Sequence, residues 1–185
     1  MEPIEINAGG YYLRTLRADD RVDDRPAIIE AFQDQDTRTW ISDYRIDDLS
    51  DAARYIRGRA REWADGIRCS WAVADPQTGN LLGEVGLRDL DLPDVGAEAS
   101  CWTHPAYRGR GVAVDALHAA LRFGFGALGL NLVRYRHHNG NNGSRRVAEK
   151  CGFSRPIREV DQVAGRPVAM LHWRVTAAEF RAVRP

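Results

Sequence analysis

The chain has 185 residues, 44% hydrophobic and 28% charged, with 26 Lys and Arg set against 26 Asp and Glu for a formal net charge of zero. Balanced charge supplies no global field to draw it onto nucleic acid or an anionic membrane, and no apolar stretch is long enough to span a bilayer. The length suits one domain over residues 1–185, large enough to bury roughly two-thirds of the surface its unfolded chain exposes.

Met1 to Gly10 lacks a basic region followed by an apolar core, so no signal peptide is expected. Residues 11–17 alternate and read as a first strand, and Pro26 to Gln35 as a short helix. Residues 36–48 read as a polar connection carrying Trp40, Asp43 and Tyr44. Ser50 or Asp51 is a suitable cap for a second helix that runs to about Asp65 and ends at Gly66. Arg68 to Ala74 and Leu81 to Leu90 read as a hairpin, followed by a strand at 97–103. A helix from Gly111 to about Leu128 gathers Val112, Ala116, Leu117, Ala120, Leu121 and Phe123 on one face. Leu132 to His138 is a further strand, residues 139–143 a polar turn, and Ser144 to Cys151 a short helix stopped by Gly152. Phe153 to Val160 and Pro167 to Val175 close the chain as a hairpin. Strands alternating with helices predict a mixed α/β domain around one sheet. Cys69, Cys101 and Cys151 fit neither a disulfide framework nor a CxxC pair, which predicts a reduced, cytoplasmic protein.

The densest chemical signal is Arg108-Gly-Arg-Gly-Val-Ala113, between the strand at 97–103 and the long helix. A glycine-bearing turn from strand to helix leaves several N–H groups unpaired in one concavity, and the helix dipole favours an anion there. Gly109 and Gly111 allow close backbone approach to a pyrophosphate, and Arg108 and Arg110 add charge-assisted contacts. The Lys-Ser/Thr of a P-loop and the full glycine spacing of a dinucleotide fingerprint are absent.

About thirty residues later comes Asn141-Asn-Gly-Ser-Arg-Arg-Val-Ala-Glu-Lys-Cys-Gly-Phe153. The two stretches together closely resemble the GNAT superfamily of acetyl-CoA-dependent N-acetyltransferases, and most of all its RimJ/RimL branch. The likeness continues through Leu13-Arg14, Thr78 to Gly83, Ala97-Glu98 and Leu128 to Asn131. It implies a twisted mixed sheet whose fourth and fifth strands, here 97–103 and 132–138, splay apart into a slot for pantetheine. It further implies that backbone groups around Cys101, Trp102 and Thr103 pair with the pantetheine amides, and Arg108, Gly109, Arg110, Gly111, Val112 and Ala113 with the pyrophosphate. Asn141 then bonds the pantetheine arm or holds the turn beside it, although Asn also favours turns on its own account.

Transfer of acetyl from a thioester to an amine needs a neutral amine, donors aimed at the developing oxyanion, worth about 3 kcal/mol each, and a partner for the departing thiolate. The resemblance assigns the oxyanion to a backbone N–H in the gap of the fourth strand. It assigns the thiolate to Ser144, because the tyrosine that many relatives carry four residues later is replaced by Ala148. A helix N-cap is the competing role for Ser144. Glu98 is the first candidate for general base and Glu84 the second, while a solvated carboxylate at a sheet edge explains either residue as well. Positioning alone can also carry transfer from a reactive thioester. No acyl-enzyme is expected, since the cysteines have no visible activating base.

Trp40, Asp43 and Tyr44 suit the wall of a site for a cationic amine, or else partial burial in the core; Trp63 reads as core. His137 either lines the slot or packs as a strand residue. A metal is not expected: His137 and His138 are adjacent on a strand and point to opposite faces, and His104, His118 and His172 complete no usual ligand spacing. The acceptor is a small-molecule or peptide amine, namely a protein N-terminus, an amino acid or an amine-bearing small molecule, with no membrane partner and a homodimer left open. Two alternatives stay open: another acyl donor (an acyl-CoA or aminoacyl-tRNA), and a non-catalytic CoA-binding module. Zero net charge disfavours nucleic acid, although Arg134, Arg136, Arg145 and Arg146 are close enough in sequence to form a basic patch.

Overall fold

The computed structural model describes residues 1–90, 96–163 and 165–182. One mixed sheet is built from β1 (Ile6–Ala8), β2 (Tyr11–Arg14), β3 (Arg68–Ala74), β4 (Leu81–Arg88), β5 (Ala97–Thr103), β6 (Leu132–His138), β7 (Ser154–Val163) and β8 (Arg166–Thr176). The spatial order is β1-β2-β3-β4-β5-β6-β8-β7, antiparallel throughout except between β5 and β6. The helices are α1 (Arg25–Gln33), α2 (Gln35–Trp40), α3 (Leu49–Ala64), α4 (Val112–Gly126), α5 (Asn142–Lys150) and α6 (Ala177–Ala182).

β3 and β4 are buried on both faces, so their sequences read as near-continuous runs rather than as alternation. On one face α4 lays Ala116, Leu117, Ala120 and Leu121 over Val85, Leu87, Ala97 and Ala99, in a core that also takes in Tyr135, Phe153 and Val175. On the other face Ile28 and Phe32 of α1 and Ala52, Tyr55 and Ile56 of α3 pack over Ala72 and Leu81, with Trp102 against them. The period-2 geometry of β5 therefore sends Ala97, Ala99 and Cys101 toward α4, and Glu98, Ser100 and Trp102 toward α1 and α3.

One irregularity organises everything else. β5 and β6 pair only at Ala97↔Val133, Glu98↔Arg134 and Ala99↔Tyr135. Beyond that point β5 keeps its partner β4 as far as Thr103↔Gly83, and β6 keeps β8 as far as His138↔Met170. The parallel pair parts after Ala99 and opens a wedge in the middle of the sheet. Close contact on the β4 side helps to hold it: a Cβ on Gly83 would lie 2.3 Å from the Trp102 carbonyl oxygen, which leaves glycine as the residue that fits.

Several expectations need correction. The first strand ends at Arg14, and β1, too short to show a period, precedes it. The connection at 36–48 contains α2, started by the Asp34 carboxylate, which accepts from Thr37 N. Asp48, rather than Ser50 or Asp51, caps α3. Asn141, rather than Ser144, caps α5: its side chain accepts from Ser144 N at 3.0 Å and places Ser144 one turn inside. The closing hairpin is longer than expected and leads into α6.

Candidate active site

The wedge opens into a cavity of about 860 Å³ lined from both faces of the sheet. On the α4 side its mouth is the turn Arg108 to Gly111. Gly109 (φ 78°) and Gly111 (φ 85°) are both left-handed, and α4 begins without a side-chain cap. The first N–H groups of a helix have no internal acceptor, so Val112 and Ala113 present free donors at this mouth. A Cβ on Gly109 would meet nothing within 4 Å, and one on Gly111 only Asp115 Oδ2 at 3.8 Å, so the space over the turn is open. Phosphate oxygens fit this arrangement.

The strand edge supplies the next donors. His104 N donates to Leu82 O on β4, and alternation then turns the backbone groups of Trp102 toward β4 and those of Cys101 and Thr103 into the wedge. The expectation for Trp102 is corrected here. Its backbone is committed to the sheet, while its indole lies on the α3 face and donates to Glu84 Oε2 at 3.2 Å. Arg108 is corrected in the same sense: its guanidinium points away from the turn and donates to Asp34 (2.5 Å), Thr37 Oγ1 (2.9 Å) and Asp36 (3.3 Å) around α2. The Arg110 guanidinium lies over the Tyr107 ring at 5.4 Å, and its carbonyl accepts from the Tyr11 hydroxyl.

Beneath the mouth, Ser144, Cys101 and Tyr135 face the cavity from α5, β5 and β6. The Tyr135 hydroxyl is 3.5 Å from Cys101 Sγ. Burial raises the Cys101 pKa, and it pushes Cys69 up to about 12 and Cys151 higher still, so none of the three is poised as a thiolate. All three cysteines are free.

The opposite face carries the charges. Glu98 accepts on one oxygen from both Arg88 and Arg136, the latter at 3.0 Å. Arg136 continues to Asp161 at 2.9 Å, and Asp161 to His172 Nε2 at 2.9 Å. Glu84 is only 2% exposed, which corrects its reading as a solvated edge carboxylate. It accepts from the Tyr55 hydroxyl at 2.5 Å, Arg59 Nε at 3.0 Å and the Trp102 indole, with Arg68 at 3.6 Å. Burial and the Glu84 charge raise the Tyr55 pKa; burial opposes the Arg59 charge, but Glu84 more than offsets it and raises the Arg59 pKa. Both oxygens of Glu84 are taken by donors, whereas the two guanidinium contacts of Glu98 fall on Oε1 and leave Oε2 free.

Trp40, Asp43 and Tyr44 line this side of the cavity. Trp40 packs edge-on against His138 at 5.6 Å, and the Tyr44 ring lies under the Arg59 guanidinium at 5.1 Å. Trp63, by contrast, is core, crossed with Trp71 at 5.2 Å. His137 is among the residues lining the cavity and is at the same time packed into the strand. It is 5% exposed, Nδ1 bonds the His138 carbonyl at 2.8 Å and Nε2 accepts from the Trp173 indole at 2.9 Å, so both ring nitrogens are spent inside the fold. Burial lowers its pKa, in keeping with a neutral ring.

Two of the four arginines of the expected basic patch are paired, Arg136 with Glu98 and Asp161 and Arg145 with Glu149. Among the described residues one group, Glu159, Asp161 and His172, has potential metal-ligating atoms within 4.8 Å of one another. Asp161 and His172 are already bonded to each other there, and Asp161 to Arg136.

Sequence reasoning overlooked Tyr55, Arg59, Arg68 and Tyr135. Arg59 carried a visible signal. Ala52, Tyr55, Ile56, Arg59 and Trp63 form the buried stripe of α3, so an arginine sits where an apolar residue belongs and requires a buried partner.

Comparison with known proteins agrees with this geometry. The family model described as Acetyltransferase (GNAT) domain matches residues 12–154. YdaF of Bacillus subtilis (strain 168), a candidate ribosomal N-acetyltransferase, is 33% identical over 75 residues, which span 40% of this chain and 41% of YdaF. Among solved structures, Mycobacterium smegmatis RimJ in complex with CoA-disulfide superposes with a TM-score of 0.78 at 18% identity, covering 97% of this chain and 94% of that one. Spermidine N-acetyltransferase from Vibrio cholerae, in complex with CoA and spermine, superposes at 0.75 and 19% identity, covering 93% and 98%. At such identities the structural likeness speaks for the fold. The family model spans most of the chain, and the protein belongs to the GNAT acetyltransferase family.

Proposed function

We propose that the chain is a single N-acetyltransferase domain over residues 1–185 that moves acetyl from acetyl-CoA to a primary amine by direct attack. The observation that carries this reading is the parting of β5 and β6 beside an uncapped α4 with two left-handed glycines. Gly109 to Ala113 hold the pyrophosphate through backbone donors and Arg110. Cys101 and Thr103 offer the backbone edge to the pantetheine amides and the developing oxyanion. Asn141 holds α5 so that Ser144 stands over the wedge. The bound thioester supplies a carbonyl already activated for attack. The acceptor enters from the α3 face, between Trp40, Asp43 and Tyr44, and Glu98 receives its proton directly or through water. Ser144 gives its hydroxyl proton to the departing sulfur and regains one from water.

RimJ with CoA-disulfide and spermidine N-acetyltransferase with CoA and spermine, both of this fold, support a CoA thioester as donor and an amine as acceptor. Free cysteines support a reducing, cytoplasmic setting, and no helix among the described residues is long and apolar enough to cross a membrane. The test is acetyl-CoA with a panel of protein N-terminal peptides, amino acids and polyamines, followed by free-thiol release. Turnover with any of these amines is expected, and CoA binding without turnover on the whole panel would favour a binding module.

Glu98→Gln is expected to lower kcat about tenfold at neutral pH while CoA affinity holds. Part of the loss returns at alkaline pH, where more of the amine is already neutral. A pH–rate profile that matches the parent protein would assign the proton to water.

A further inference from the structure

α2 is six residues long, far short of the length at which a helix sustains itself in water, so its place is set by what touches it. Arg38 ties its back to the α1 side, donating from Nε to the Phe32 carbonyl at 2.9 Å and from Nη2 to Asp47 at 3.0 Å. Its two ends reach elsewhere. At the start, the Arg108 guanidinium donates to Asp34, Asp36 and Thr37 Oγ1, and Arg108 belongs to the turn that follows β5. At the finish, Trp40 packs against His138, and a Cβ on Gly140 would lie 3.6 Å from Trp40 Cη2. His138 ends β6, and Gly140 lies in the turn beyond it.

These are the two strands that part at the wedge. α2 therefore runs from the end of β5 to the end of β6 across the open end of the wedge, and Asp36, Thr37 and Trp40 line the cavity beneath it. The turn after β5 thus serves two sides. Its backbone at Gly109 and Gly111 faces the open space over α4, while the Arg108 side chain is spent on α2. A planar guanidinium with five donors can meet three separate acceptors at once, which a single ammonium does poorly.

We propose that Arg108 is a positioning residue for the acceptor: its side chain holds α2 as a strap across the parted strands, so that Thr37 and Trp40 give the incoming amine a fixed wall, and it takes no part in holding the cofactor phosphates. This rests on the transferase reading given above. It also separates Arg108 from Arg110, two residues away in the same motif, whose side chain lies over Tyr107 instead.

The test separates the two substrates. Arg108→Ala is expected to raise KM for the amine about fivefold, with acetyl-CoA affinity by calorimetry within about twofold of the parent. Asp34→Ser approaches the same contact from α2. Serine keeps a good helix cap but loses the charge that Arg108 meets, and Asp34 is not among the residues lining the cavity, so a rise in amine KM there comes through α2. A rise in the same direction is expected, and Arg108→Lys is expected to fall between Arg108→Ala and the parent. Amide hydrogen exchange gives a readout that needs no turnover. The N–H groups of Arg38 and Ile41, bonded within α2, are expected to exchange several-fold faster in Arg108→Ala, while those inside α4 keep the parent rate. An acetyl-CoA affinity that falls about tenfold or more in Arg108→Ala would assign the guanidinium to the phosphates and overturn the proposal. A parent-like amine KM, or parent-like exchange in α2, overturns it as well. Absence of CoA release by the parent protein with every amine would fail the transferase reading instead, and the exchange rates and acetyl-CoA affinity then still decide whether Arg108 holds α2 or the phosphates.

Discussion

Gly111→Val is expected to weaken CoA binding about 100-fold or more while the protein still folds. The residue has φ 85°, and a Cβ there would meet only Asp115 Oδ2 at 3.8 Å, so the protein has room for the side chain. The new methyl groups would instead fill the open space over the first N–H groups of α4, where the pyrophosphate is placed. A left-handed backbone costs an L residue roughly 1–2 kcal/mol, which a domain of this size survives. Gly111→Ala bears similar strain with less bulk and is expected to lose less affinity, which separates strain from occlusion. Arg110→Ala is expected to be milder than either, because backbone donors make the main contacts. Calorimetry on folded Gly111→Val that returned the parent affinity would remove the pyrophosphate from this turn.

Glu84→Ala is expected to be the most destabilising change in the acceptor half, about 3–5 kcal/mol, with the melting temperature falling roughly 6–20 °C. The carboxylate is the counter-charge for Arg59, itself 5% exposed and wedged between the Tyr44 and Tyr55 rings, and it stands 3.6 Å from Arg68. Removing it leaves the partly exposed Glu62 as the one remaining carboxylate among the described residues for the buried Arg59 and Arg68, and leaves the Tyr55 hydroxyl without its acceptor. This is an architectural role, in contrast to proton transfer. Glu84→Ala protein that folds at low temperature is expected to keep a measurable rate, whereas Glu98→Gln keeps its stability and loses rate. A Glu84→Ala melting curve within about 1 °C of the parent would show that the charge pair holds nothing together.

The sequence made the cofactor half legible because that half depends on local chemistry. Two glycines at fixed offsets force a left-handed turn, and the strand before it and the apolar helix after it both follow from periodicity. The acceptor half depends on pairs far apart in the chain. α2, five polar residues and Trp40, has no apolar stripe to announce it, and it is held by Asp34 at its start and by Arg108 from across the molecule. The same long-range pairing drew Arg108 away from the role its place in the motif suggested. Glu84 and Glu98 read alike in sequence. Only the burial of β4 against α3 makes one a saturated structural anion and leaves the other a free oxygen at the wedge. The competing role of Ser144 as a helix cap falls to Asn141, three residues before it, whose side chain accepts from Ser144 N. Tyr135 was hidden by its place in a strand, where one apolar-looking aromatic among buried neighbours shows nothing of where its hydroxyl ends.

In the proposed reaction one wedge in the sheet brings a CoA thioester from the α4 side to an amine on the α3 side. The most direct measurement follows the acetyl group itself: incubation with acetyl-CoA deuterated in the acetyl methyl, then mass spectrometry of both the amine and the protein. Label is expected on the amine nitrogen in amounts equal to the CoA released, and none on Cys101, Ser144 or any other side chain. CoA release with no labelled amine, or label retained on the protein during turnover, would contradict it.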